Sequence, residues 1–204
     1  MLEYFYTTPV ASAIFVVTIL TSLLAFSNPQ VYERLILNPH EVYRKQNVYT
    51  LLTSGLIHKD WMHLFFNMLS YYFFAFNLER IIGHWQFAVL YLVSLVLSDI
   101  PTVLKHKDDF WYRTLGASGA VSAVVFSFIL FDPMTKMMIL PLPIPIPAIL
   151  FGVLYLVYCV YAGRQQADTI NHDAHFYGAL NGVFITIILY PEVVPYFFGK
   201  LGLR

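Results

Sequence analysis

Charge is what this sequence has least of. Asp, Glu, Lys and Arg make up 12% of its 204 residues, against 58% hydrophobic residues. A soluble domain carries roughly 25% charged residues. Too little polar surface remains to cover a water-soluble globule of this size. Neither sign is in excess, since 12 basic residues balance 12 acidic ones. That leaves no electrostatic footprint for nucleic acid. Cysteine is nearly absent, and the single Cys159 excludes an internal disulfide framework and a cysteine-built metal site. Disorder is excluded for the opposite reason, because the mean hydropathy of +0.64 shows no lack of core-forming side chains.

What is present is a set of long charge-free stretches. Six runs of 18 residues or more contain no Asp, Glu, Lys or Arg: 4–32, 61–78, 81–98, 114–131, 137–163 and 174–191. Crossing the hydrocarbon core takes about 20 mostly apolar residues, with a range of about 17–25. Backbone groups in lipid must bond internally, which selects helices over open strands. The pattern predicts an all-α, multi-pass membrane protein with six transmembrane helices, at approximately 9–27, 61–78, 83–104, 115–132, 148–163 and 173–190. No internal repeat or linker interrupts it, so one domain over 1–204 is expected. The first run reads as a retained span. It opens with an acid and no base, and no small-x-small cleavage site precedes Asn28-Pro29.

The connections are uneven. Pro141, Pro143, Pro145 and Pro147 alternate and cannot sit inside a regular helix, so an extended lead-in to a fifth helix near Ala148 is expected. Glu79-Arg80 alone separates the second and third helices. The first and second are joined by a long connection whose uncharged run, 46–58, is too short to span and suits an interfacial or re-entrant segment.

Strongly polar residues inside a span are costly and tend to be functional. His63 and Asn67 lie in the second run, Ser118 in the fourth and His175 in the sixth. In a six-helix serpentine the even-numbered helices start on the same side. His63, Ser118 and His175 all fall near those starts, so they share one shallow layer. Asn67 follows His63 by four residues and shares its helix face, one turn deeper. Gly178 and Gly182 form a Gly-x-x-x-Gly pair, and Gly116 and Gly119 flank Ser118. Small residues let membrane helices approach closely. Such an approach would bring the Ser118 hydroxyl to the His175 imidazole, the arrangement of a serine activated by a histidine base. His63, Asn67 and the Ser118 backbone N–H would then be donors to a developing oxyanion.

Each residue alone also has a plain structural reading. A single serine in a span usually bonds back to its own helix, Gly178/Gly182 alone means helix packing, and His63–Asn67 alone is a hydrogen-bonded pair. His58 reads as a tether for the long connection, and His40, His84 and His172 sit near helix ends without a special role. No His-x-x-x-His pair or Glu-adjacent pair supports a metal site, and no cofactor is expected.

In order and helix assignment, His63-x-x-x-Asn67, Gly116-Ala117-Ser118-Gly119 and Ala174-His175-x-x-Gly178-x-x-x-Gly182 resemble the rhomboid family of intramembrane serine proteases, and Glu79-Arg80 followed by Gly83 resembles that family's second-to-third turn. The resemblance covers nearly the whole chain and fits the basic six-helix form. It implies a serine–histidine dyad without a third acid: Ser118 as nucleophile, His175 as general base, and His63 and Asn67 lining the oxyanion hole. It implies hydrolysis of peptide bonds in or beside transmembrane helices of membrane-protein substrates. The long first connection would be a membrane-embedded loop, and the fifth helix a lateral gate with a mobile, proline-rich end. The location implied is a bacterial inner membrane.

Two positions depart from the family pattern. Tyr49-Thr50 stands where many members carry Trp-Arg, and Ser122 stands where some members stack an aromatic ring on the base. Orientation sets two rules against each other. The family places the site at the exterior or lumen. Loops on that side carry Arg34, Arg44, Lys45, Lys59, Lys105, Lys107, Arg113 and Arg164, and the other side only Arg80, Lys136, Lys200 and Arg204. That is the reverse of the positive-inside expectation. Two other functions compete: a non-catalytic relative that binds membrane clients for trafficking or degradation, and a small transporter. The intact set of four site residues argues against the first. The lack of paired midplane charges and repeated halves argues against the second.

Overall fold

A computed structural model describes residues 2–139, 142–165 and 170–203. Pro141, one of the four alternating prolines, lies outside them. The chain opens with a short helix α1 (Leu2–Thr7) and a long apolar α2 (Pro9–Ser27). The long connection follows as three short helices, α3 (Pro29–Leu35), α4 (Pro39–Tyr43) and α5 (Thr50–Thr53), and a 3-10 turn at Ser54–Leu56. Next come α6 (Trp61–Ile82), α7 (His84–Lys105) and α8 (Ser118–Phe131). A hairpin of β1 (Lys136–Ile139) and β2 (Leu142–Pro147) leads into α9 (Ala148–Gln165), α10 (His172–Leu189) and α11 (Val193–Lys200).

Local chemistry sets most of these boundaries. Asn-Pro occurs twice at a helix start. Asn28 ends α2 in an extended conformation and its side chain accepts from the N–H groups of Gln30 and Val31, while Asn38 accepts from His40. The proline that follows takes the first helical position, where no N–H is needed. Asp60 caps α6 by accepting from the His63 N–H at 2.8 Å. Gly83, at φ 87°, breaks α6 from α7 with backbone that favours glycine.

Three helices, α2, α7 and α9, are long and apolar enough to cross a membrane, and α10 with α11 counts as a fourth if the pair, bent by 114°, is one span. The chain is therefore a mostly helical integral membrane protein. Among the described residues the fold departs from all-α in one hairpin and in an isolated bridge between Leu37 and Thr114. Pro143, Pro145 and Pro147 lie on the second strand of an antiparallel hairpin, with Lys136 opposite Pro147 and Met138 opposite Pro145. Proline has no N–H to give a sheet ladder, so a strand rich in it suits an edge. The hairpin also ties down the start of α9: Ala148 N–H donates to the Thr135 carbonyl and Ile149 N–H to that of Pro133, both at 2.9 Å. These bonds fix the first residues of α9.

The bundle is built around α8. Ten of its 14 residues are buried, against five of 19 in α2 and three of 18 in α9. Around it, Tyr71, Phe87 and Tyr91 pack edge to face or stacked in the core shared by α6 and α7. The far end is locked by Glu79, whose fully buried carboxylate accepts from Val10 N–H at 3.1 Å and Ala11 N–H at 2.6 Å at the start of α2. A helix N-terminus presents unpaired N–H groups and partial positive charge, so the carboxylate is well placed there. His84 completes the contact at 2.7 Å, which gives it the role that its position near a helix end did not suggest.

Candidate active site

The site lies at the opposite end from Glu79. His63 is the third residue of α6, Ser118 the first of α8 and His175 the fourth of α10. Each therefore sits in the opening turn of its helix, and the three openings converge. Ser118, His175, His63 and Asn67 line one cavity of about 620 Å³, together with Tyr32, Asp60, Arg113, Thr114 and Asn171.

Ser118 is positioned by the strand-like segment before it. The helix expected from 115 begins at Ser118 because Thr114 is already committed elsewhere. Leu37 and Thr114 exchange backbone bonds at 3.0 and 3.1 Å, and Gly116 N–H donates to the Ser54 carbonyl at 3.0 Å. The long first connection thereby pins the chain just ahead of the serine. Gly116 was expected to pack helices together; it serves instead as a loop glycine at φ 114°. A side chain there would meet the His63 ring, with Cε1 at 2.7 Å and Nε2 at 2.9 Å of its Cβ. Bare backbone is what lets His63 lie beside the serine loop. The other three glycines pack α8 against its neighbours. A Cβ on Gly178 would stand 2.9 Å from the Gly119 Cα, and one on Gly182 2.7 Å from the Ala123 Cα. A Cβ on Gly119 would meet the Ser98 Cβ of α7 at 2.7 Å. Seam α8–α10 is thus backbone against backbone, and it sets the position of Ser118 relative to His175.

Asn171 ties this arrangement together. Its side-chain oxygen caps α10 by accepting from the Ala174 N–H at 3.0 Å, and its amide donates to Thr102 of α7 at 3.0 Å and to Thr114 at 3.2 Å. One side chain thus links the His175 helix to the Ser118 loop. Lys105 and Asp173 add an ion pair at 2.6 Å between α7 and α10; both side chains are partly exposed, so its contribution is small.

On α6, Asn67 is buried and one of its amide hydrogens goes back to the His63 carbonyl at 3.0 Å, which leaves the second for the cavity. His63 Nδ1 accepts weakly from the Lys59 N–H at 3.5 Å. The ring proton then falls on Nε2, the nitrogen beside Gly116. His58 lies behind it, fully buried, its ring edge-on to His63 at 4.9 Å and its Nδ1 2.9 Å from the Ser22 hydroxyl. Burial pushes its pKa down to about 3, with His63 adding to the effect and Asp60 opposing it, so the ring is neutral. Ser22 also donates to the Leu56 carbonyl at 3.0 Å. His58 is the expected tether of the long connection to α2. In that same connection Tyr49 donates from its hydroxyl to the Arg34 carbonyl at 3.1 Å.

The His175 ring is held from two sides. Tyr155 of α9 lies nearly parallel to it, at 6.3 Å and 16°, and His172 meets it edge-on at 6.0 Å and 81°. Ser122 bonds the Tyr155 hydroxyl at 2.7 Å. Sequence reasoning missed both Asn171 and Tyr155. Asn171 carried a readable sign, an N-cap residue three positions before Ala174. Tyr155 carried none, being one aromatic among many on an apolar helix.

The Rhomboid domain family model matches residues 45–192. The chain is 27% identical over 152 residues to RHOMBOID-like protein 12, mitochondrial, of Arabidopsis thaliana, covering 67% of this chain and 45% of that protein. It is 38% identical over 71 residues to the putative rhomboid protease YdcA of Bacillus subtilis, 35% of each chain. It is 28% identical over 158 residues to inactive rhomboid protein 1 of Drosophila melanogaster, covering 76% of this chain and 10% of that protein. The matched stretch is less than half the length of each relative. With the family model covering α6 through α10, and with His63, Asn67, Ser118 and His175 inside it, the chain belongs to the rhomboid family.

Proposed function

We propose that this protein is an intramembrane serine endopeptidase that cuts peptide bonds in or near transmembrane segments of membrane-protein substrates. One observation carries the reading: Ser118, His175, His63 and Asn67, drawn from three helices, line a single cavity. Ser118 Oγ attacks the scissile carbonyl carbon while His175 takes its proton. The tetrahedral oxyanion is met by the second Asn67 amide hydrogen, His63 Nε2–H and the Ser118 N–H. That last group belongs to the first turn of α8, whose N–H groups have no partner within the helix. The C–N bond breaks as His175 returns the proton to the leaving amine. Water then hydrolyses the acyl-enzyme with His175 again as base, and Ser118 is regenerated.

The rest of the reading follows the family. Helices α2, α6, α7, α8, α9 and α10 are proposed as six spans of one domain. α8 is short because it is enclosed by the others, and α6 owes its lower hydropathy to His63, Asn67, Asn77 and Glu79. The long connection is proposed to lie in the outer leaflet. Tyr43, Val48, Tyr49 and Leu52 leave an exposed apolar side there, each between 45% and 48% accessible. The site is proposed to face the exterior or lumen. A bacterial inner membrane is the proposed location; the relatives include both a Bacillus protein and mitochondrial ones.

The name of the Drosophila relative describes a member without activity. A client-binding role is therefore the second reading, and the complete set of site residues here favours the first. The test is cleavage of a reporter transmembrane substrate in proteoliposomes. Wild type cleaves, and Ser118→Ala and His175→Ala do not. Asn67→Ala is slower by about 10²–10³-fold, the scale of one lost oxyanion donor. Retained cleavage by purified Ser118→Ala refutes the dyad. Failure of wild type to cleave or to react at Ser118 with a fluorophosphonate leaves the client-binding role.

A further inference from the structure

We propose that Tyr155, carried on α9 and fixed by Ser122, is the positioning residue for His175, so that the base is aligned only while α9 is seated against α8 and α10. The inference rests on the protease reading for its catalytic consequence, though not for the contact itself.

Three observations support it. The Tyr155 ring lies 6.3 Å from the His175 ring and within 16° of parallel, inside the range of favourable offset stacking. Its hydroxyl is 2.7 Å from Ser122 Oγ, and Ser122 lies one turn beyond Ser118 on the same helix. Tyr155 therefore spans from the nucleophile's helix to the base's ring. His172 also meets His175, but edge-on at 81° and from the base's own helix; its link to α9 is a further edge-on contact with Tyr158 at 5.5 Å, so Tyr155 is the ring that α9 itself lays on the base.

The third observation is how α9 is held elsewhere. Its buried residues are Ala148, Gly152 and Cys159, two of them in the half nearest the hairpin. Its outer side is exposed and apolar, with Val153, Val157 and Tyr161 between 53% and 63% accessible. The hairpin end is tied by backbone bonds to Pro133 and Thr135. An outward swing of α9 would therefore pivot about that end and carry Tyr155 away from both Ser122 and His175. Passage of a substrate beside α9 and alignment of the base become one movement. Ser122 also gains a purpose: with a small hydroxyl four residues after Ser118, the aromatic partner of the base comes from another helix.

The test uses the full chain in detergent micelles with [13Cε1]-histidine, the His175 resonance being identified by its loss in His175→Ala. Tyr155→Leu shifts that resonance, since a ring current is removed from it, and Ser122→Ala shifts it less. Tyr155→Phe keeps the ring and stays nearest to wild type, which also guards against a Tyr155→Leu chain that does not fold. An unmoved His175 resonance in folded Tyr155→Leu overturns the contact. This readout needs no cleavage, so an inactive wild type would sink the protease reading without touching it. In active protein, Tyr155→Leu lowers kcat about tenfold, the scale of one ring–ring contact, with KM little changed and part of the rate recovered in Tyr155→Phe. Unchanged kcat with a shifted resonance overturns the positioning role.

Discussion

Two of the neighbours of α10, α8 and α9, are packed against it by different means. Against α8 it meets backbone, at Gly178 on Gly119 and Gly182 on Ala123. Against α9 it meets side chains, with Tyr155 laid over His175. The first kind of contact tolerates no displacement, because nothing in it can rotate out of the way. The second can part and re-form. A proposed nucleophile and base on the rigid seam, with the ring that steadies the base on the separable one, give fixed catalytic geometry beside a helix free to move.

The largest expected effect comes from breaking the rigid seam. Gly178→Val places branched carbons where the Gly119 carbonyl carbon and Cα already stand at 2.8 and 2.9 Å from the Cβ position. Neither atom is the end of a flexible chain, so α8 and α10 must separate. Overpacking of this kind costs about 3 kcal/mol or more, a fall of about 10 °C in the unfolding temperature of a domain this size. Thermal unfolding in micelles measures it. A Gly178→Val chain as stable as wild type would show that the helices are not held at backbone distance.

The seam and its contents were legible in the sequence to different degrees. α2 runs from Pro9 to Ser27, as Pro9 and Asn28-Pro29 indicate, since proline and asparagine mark helix starts and stops by local chemistry. That His63, Ser118 and His175 would share one end of the bundle was legible too, because each lies at the start of an even-numbered charge-free run. The late start of α8 was not. It depends on Leu37 and Ser54, which hold Thr114 and Gly116 from far away in the chain. The hairpin was legible only as extended backbone, because proline forbids helix without naming a strand partner. α11 escaped notice since Glu192 ended the last charge-free run. Tyr155 escaped because stacking across helices leaves no spacing pattern.

A smaller effect separates the two roles of Asn171. Asn171→Ala removes the α10 cap and the bonds to Thr102 and Thr114, at a cost of about 1–2 kcal/mol. Asn171→Asp keeps an acceptor for the Ala174 N–H but loses the amide donor. If the cap dominates, Asn171→Asp unfolds near wild type. If the tie to the Ser118 loop dominates, it unfolds with Asn171→Ala. Reporter cleavage by the same variants then tells whether the loop's position matters apart from stability.

The smallest effect is the most informative about the comparison, because it makes one substitution on both sides of the bundle. Gly152 of α9 faces Ile129 and Phe126, and a Cβ there would meet Ile129 Cδ1 at 3.2 Å and the Phe126 ring at 3.5 Å. The first is the tip of a flexible side chain that can turn aside by a few tenths of an ångström. Alanine also favours a helix interior over glycine by about 0.8–1 kcal/mol. Gly152→Ala should therefore leave the unfolding temperature unchanged or raise it slightly, while Gly178→Ala, with the same gain in propensity, should lower it, because there the added carbon meets backbone. Equal responses at the two glycines would erase the distinction between the backbone seam of α10 on α8 and the side-chain seam of α9 on α8, and with it the physical basis for assigning movement to α9.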